Sequence, residues 1–218
     1  MNSVVAHTCT WSNLQWHEMP MPDANAGVRL AFLEPAGADQ FLAMVQFPPG
    51  WTRLHAGHYA VDEEFFVLSG DLHINGLCWH SQQYGFIPAD TLRLETRSVG
   101  GCTAYARFHG DPKWVRGSPA HSSERMLTRI ADWRHLSAVG YANHFSGRLL
   151  HEGTSTSTWV LDAWPTQPVP VHGDATDALD LSNWNHFPDL SLERPPIRAG
   201  AVLLHCRNAP TGAATTSV

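Results

Sequence analysis

The sequence predicts an all-β protein built as two tandem barrels, and three observations predict it. Apolar residues alternate with polar ones over short stretches instead of recurring every three or four positions. Turn chemistry punctuates those stretches at Pro48-Pro49-Gly50, Leu68-Ser69-Gly70, Pro88-Ala89-Asp90 and Gly100-Gly101. The pattern then starts again in the second half of the chain, which suggests one small β-barrel repeated.

In chain order, strands are expected at Val28–Leu33, Phe41–Phe47, Phe65–Leu68, Tyr84–Ile87, Leu92–Arg97 and Cys102–His109. Between the third and fourth lies a hairpin, Asp71 to Trp79. Leu72 and Ile74 share one of its faces, and Asn75-Gly76 supplies the two positive-φ residues of a type I′ turn. From Gly110 to Arg125 the composition shifts to Pro, Gly, Ser and charge, which marks a connector. The expected division is a first barrel at 1–112, a connector at 113–126 and a second barrel at 127–218. Sliding the second half back so that Trp164-Pro165 lies on Phe47-Pro48 also lays His172 on His55 and Val160-Leu161 on Ala43-Met44. The match is sparse but ungapped.

Composition removes several function classes. The formal charge is −6, and of fourteen Lys and Arg only Lys113 is a lysine, so the clustered positive charge that phosphate backbones require is missing and no nucleic acid is expected. No apolar run approaches the ~20 residues that span a bilayer, and the N-terminus has no cationic region followed by an apolar stretch. A cytoplasmic protein without a membrane partner is expected. The four cysteines form no C-x-x-C pair, which argues against a zinc ribbon or a disulfide framework. Phosphate loops, dinucleotide fingerprints, Gly-x-Ser-x-Gly elbows and His-Glu-x-x-His are all missing.

Fourteen histidines remain as the anomaly, because imidazole is the commonest transition-metal ligand. Spacing promotes few of them. The segment Pro48 to Gly70 places His55, His58, Glu63 and Glu64 within ten residues, a ligand set suited to Fe(II), Mn, Ni or Zn. It resembles the first motif of the cupin superfamily: Pro-Gly, two nearby histidines, a Glu beyond the second, then Gly70. Leu14-Gln15-Trp16, Tyr84-Gly85-Phe86-Ile87-Pro88-Ala89 and Gly100-Gly101-Cys102 extend the likeness to the ChrR-like cupins over roughly residues 14 to 110. The resemblance implies a bicupin, two tandem cupin-type barrels (double-stranded β-helices), each with a small-molecule pocket.

Two departures from that pattern bear on function. The first motif histidine falls on Ala56, with His55 one place earlier, so His55 and His58 would point to opposite faces of a regular strand unless a bulge at Ala56-Gly57 turns both inward. The family's remaining histidine falls on Arg93, which is permanently cationic and cannot serve as a ligand. Three readings stay open. A divalent metal, Fe(II) or Zn, would sit in the first barrel on His55, His58 and Glu63, with Glu64 as a substitute for Glu63, His109 completing the set, and none in the second barrel. Without a metal, Arg93 would pair with Glu63 or clamp a ligand carboxylate. A structural barrel would send Arg93, Glu95 and Arg97 to solvent and pack Leu92 and Leu94 inside.

The second barrel keeps His172, followed by Asp174 and Asp177, and has no clean counterpart of Glu63, which marks it as degenerate. Its Trp159, Trp164 and Trp184 suit either packing or an aromatic-lined cleft. For function, the resemblance implies a small-molecule metalloenzyme, foremost an Fe(II)-dependent dioxygenase cleaving an enol or hydroxyketone C–C bond, with isomerase or lyase chemistry as alternatives. Glu64 would act as acid or base, and Arg93, Tyr105 and Arg107 would bind substrate. The competing expectation is a non-catalytic, metal-free ligand-binding or sensor bicupin with Arg93 in the pocket. By analogy with other cupins, a homodimer is expected.

Overall fold

Alternation of apolar and polar side chains yields antiparallel strands throughout. The computed structural model describes residues 9–33, 41–121, 123–141, 145–153, 156–162, 177–187 and 201–207. Among these the only helical pieces are 3-10 turns at Trp11–Asn13 and Trp133–His135, and no helix is long and apolar enough to cross a membrane. The chain divides into two units, Trp11–His135 and a second made of Leu136–Val218 with residues up to Thr10.

In the unit Trp11–His135 the strands are β1 (His17–Met19), β2 (Val28–Phe32), β3 (Phe41–Phe47), β4 (Trp51–Arg53), β5 (Gly57–Tyr59), β6 (Glu63–Ile74), β7 (Leu77–His80), β8 (Tyr84–Ile87), β9 (Thr96–Ser98), β10 (Cys102–Phe108), β11 (Trp114–Arg116) and β12 (Thr128–Ile130). The main sheet runs β1-β2-β3-β10-β6-β8-β12. Twelve-residue β6 serves two pairings: Glu63 to Gly70 lies against β10 and β8, and Asp71 to Ile74 lies against β7 and β9. It turns the corner at Gly70, whose φ is +80° and where a Cβ would stand 1.9 Å from the carbonyl oxygen of Gly101. Only glycine meets both conditions.

Inward-facing side chains form one core from Val28, Val45, Trp51, Phe65, Val67, Leu72, Ile74, Trp79, Ala104, Ala106 and Phe108. The hairpin forms as the sequence predicts, with Ile74 paired to Leu77 across Asn75 (φ 52°) and Gly76 (φ 78°). Residues 92–97 differ from expectation. Only Thr96–Ser98 is strand, and the segment before it is held by the Asn75 side chain, whose Oδ1 accepts from Leu94 N at 2.7 Å and whose Nδ2 donates to Leu92 O at 2.8 Å.

The stretch 113–126, expected as a connector, contributes β11, which pairs with β5, and β12 just beyond it pairs with β8. Both lie in the first unit, whose boundary is His135/Leu136.

The second unit holds β13 (Val139–Tyr141), β14 (Phe145–Glu152), β15 (Thr156–Leu161), β16 (Asp177–Asp180), β17 (His186–Phe187) and β18 (Val202–Arg207), in the order β13-β14-β15-β18-β16-β17. This repeats the first unit's path β1-β2-β3-β10-β6-β8 strand for strand. Strand β16 lacks the hairpin extension that β6 carries. Trp159 packs in this unit's core with Leu161, Ala178, Val202, Leu204 and Cys206. Asp177 is buried 3.5 Å from His186 Nε2, while His172, Asp174 and Trp164 lie outside the described residues. None of the four cysteines is joined in a disulfide, and burial pushes the Cys102 and Cys206 thiols up to about 12.

Candidate functional site

Strand alternation decides which of the predicted site residues meet. On β6, Glu63 pairs with Phe108 and Glu64 with Arg107 of β10, so the two adjacent carboxylates lie on opposite faces of one sheet. Glu63 faces inward, into a cavity of about 230 Å³ lined by core residues together with Arg53, Tyr59, Glu63, Arg93, Thr96 and Trp114. A wider depression of about 500 Å³ carries Glu18 and Arg29, which pair with each other at 3.5 Å. It holds no comparable convergence of buried groups.

Glu64 stands on the other face. Its Oε2 accepts from the Tyr84 hydroxyl at 2.6 Å and its Oε1 from His109 Nε2 at 2.7 Å. Arg107 Nη2 donates to the Tyr105 hydroxyl at 2.9 Å on the same face. Glu64, Tyr105, Arg107 and His109 therefore do not line the cavity, and an acid–base role for Glu64 beside a metal on Glu63 has no geometric support. The bulge that would turn both motif histidines inward is not formed. His55 is exposed, and His58 is buried with Nδ1 donating to Gly117 O at 3.1 Å and Nε2 3.6 Å from Asp90.

Arg93 takes the inward position. Its Nη2 donates to Glu63 Oε2 at 2.5 Å, with both side chains buried, and its guanidinium lies 4.7 Å from the centre of the Tyr59 ring. Leu94, expected inside, is 69 % exposed while Arg93, which the purely structural reading sent to solvent, is 6 % exposed; Glu95 and Arg97 do face solvent as that reading expects. Backbone pairing of Arg93 with Gly57 fixes that orientation.

A metal tested against these residues finds no fit. The carboxylate of Glu63 is bonded to a guanidinium, His58 is turned to a backbone carbonyl, His55 points to solvent and His109 serves Glu64. Among the described residues no three His, Cys, Asp or Glu side chains converge as ligands.

Sequence reasoning missed Arg53, Tyr59, Thr96 and Trp114. Arg53 shares the inward face of β4 with Trp51, stacks 3.7 Å from the Trp114 ring centre and donates from Nη2 to the Tyr59 hydroxyl at 3.1 Å. Its one available signal was the alternation Trp51-Thr52-Arg53.

No protein-family model matches the chain, and no curated protein matches it in sequence. Solved structures do. A Nostoc punctiforme protein described provisionally as a dioxygenase superposes with a TM-score of 0.64 at 13 % identity, over 97 % of this chain and 85 % of its own. Escherichia coli YlbA gives 0.55 at 13 %, over 94 % and 90 %. A protein from Pseudomonas aeruginosa, provisionally called glyoxylate-induced, gives 0.51 at 10 %, over 88 % and 83 %. The chain has the cupin fold. In this chain the position that carries the expected third histidine holds an arginine, and the arginine is bonded to the expected carboxylate ligand.

Proposed function

We propose that the first barrel binds a small organic molecule without a metal, the Arg93–Glu63 ion pair standing where a cupin metal centre would be assembled. The observation that carries this reading is the 2.5 Å contact between two buried groups. A guanidinium cannot ligate, and a carboxylate neutralised by one in a dry site has no free charge for a cation. The cavity is mostly apolar with a few convergent polar groups, the usual make-up of a small-molecule site.

A second reading, an Fe(II)-dependent dioxygenase acting on an enol or hydroxyketone, draws on the fold likeness to the Nostoc protein and on the presence of His58 and Glu63. It requires Arg93 to leave Glu63 and His55 to turn inward. Metal analysis separates the two. Protein produced with Fe, Mn, Ni and Zn supplied should purify with substoichiometric metal. A full equivalent that disappears in both His58→Ala and Glu63→Ala would instead establish the metalloenzyme.

A further inference from the structure

The charge inside the first barrel does not balance. Among the described residues, three ionisable side chains other than Tyr59 line the cavity, Arg53, Glu63 and Arg93, and Glu63 is engaged by Arg93. Arg53 is 7 % exposed and has no carboxylate partner among the described residues. The nearby Asp23 accepts from Trp114 Nε1 at 3.1 Å and lies 4.0 Å from Arg116. Arg53 Nε and Nη1, Arg93 Nε and Thr96 Oγ1 are buried without hydrogen-bond partners among the described residues. A guanidinium cannot shed its proton to escape burial, and an unanswered charge in such a site is costly. Stacking on Trp114 and a neutral hydroxyl offset only part of that cost.

We propose that Arg53 is the anion receptor of this cavity and that the ligand is a small monocarboxylate with an apolar body. The proposal rests on the metal-free reading of the barrel. A single unanswered positive charge calls for a monoanion, and because Nη2 spends only one of its two hydrogens on Tyr59, the planar guanidinium keeps one two-pronged edge, formed by Nη2 with an unpaired nitrogen, to match a carboxylate. Tyr59, whose oxygen already accepts from Arg53, keeps its own hydrogen for a ligand oxygen. Beyond the polar cluster the walls are Val28, Leu30, Val45, Phe65, Leu72 and Ala106, which suit a hydrocarbon body. About 230 Å³ holds roughly eight groups the size of a water molecule at ~30 Å³ each. Hexanoate and benzoate have that size.

The test titrates hexanoate, benzoate and their amides, hexanamide and benzamide, into full-length protein of measured metal content. Heat of binding and the emission of Trp51 and Trp114, which flank the guanidinium, report occupancy. At least one carboxylate should bind, and about tenfold or more tighter than its amide. Arg53→Met should abolish that preference while leaving the melting temperature equal or higher. Arg53→Lys, which keeps the charge and loses the fork, should retain weakened carboxylate binding. Equal binding of acid and amide, no binding of either acid, or undiminished binding by Arg53→Met overturns the proposal. The amide comparison needs no variant, so a misfolded substitution does not remove the test. Stoichiometric metal on Glu63 would overturn the metal-free reading, whereas a metal-free protein indifferent to carboxylates would overturn this inference alone.

Discussion

Arg93 and Glu63 illustrate how a buried pair is held by mutual need. Each answers the charge of the other in a place where an unpaired charge is costly. Arg93→Met should therefore destabilise the protein by about 3–5 kcal/mol by leaving Glu63 unanswered, and Arg93→Met with Glu63→Met should recover most of that loss. Chemical denaturation of the two singles and the double decides it, and additive losses would show that the pair is not energetically coupled. The motif register singled out Arg93 and offered two orientations for it, inward toward Glu63 or a ligand and outward to solvent, without a means to choose. The choice is made by the Gly57 backbone pairing and by Asn75, contacts between segments far apart in sequence. Arg53 was less legible still, because a three-residue strand gives alternation too few positions to mark a face.

At the scale of elements, β6 is the member on which the first unit turns. Its bend requires positive φ at Gly70 and the absence of a Cβ against Gly101. Gly70→Ala should cost about 2 kcal/mol or more, read as a fall in denaturation midpoint, because left-handed strain and a backbone clash act together. Gly76, also at positive φ but with open space around it, should lose less on the same change. The hairpin was legible to the residue, since Asn-Gly has few other uses between alternating apolar positions. The strand expected at 92–97 was not. Its alternation is genuine, yet over Leu92 to Glu95 a continuous ladder gives way to a single bridge from Arg93 to Gly57 and to bonds from Asn75.

For the whole molecule, the repeat was visible in outline and wrong in register. The ungapped sequence match lays Leu161 on Met44, whereas Leu161 faces its core with Trp159 as Ala43 and Val45 face theirs, and Met44 lies on the other face of β3. Such a slip exchanges inward and outward faces, and a weak repeat contains nothing to forbid it. The acid limb of stability also belongs to this scale. Burial alone would raise the pKa of Asp62, but the two-pronged bond from Arg125, at 2.6 Å on each oxygen, and the amide of Ala89 hold it below the ordinary carboxylate value. Asp71 is lowered likewise: burial opposes, and the amides of Val99 and Gly100 with His73 prevail. Because both are lowered on folding, their contribution is complete above the unfolded Asp value of about 3.9 and is lost as pH falls through the folded values. Melting temperatures from pH 6 downward should drop more gently in Asp62→Asn than in the parent, and parallel curves would show that Asp62 takes no part.

The Asn75 side chain gives the hairpin a second duty. Asp-Gly makes an equally good two-residue turn, so by local criteria Asn75→Asp is silent. The amide nitrogen that grips Leu92 O would nevertheless be replaced by an acceptor, and the loop that keeps Arg93 pointed inward would lose one of its ties. The tip of an exposed hairpin thus serves as a clasp on the interior electrostatics, and the choice between two interchangeable turn residues is made by a guanidinium neither of them touches.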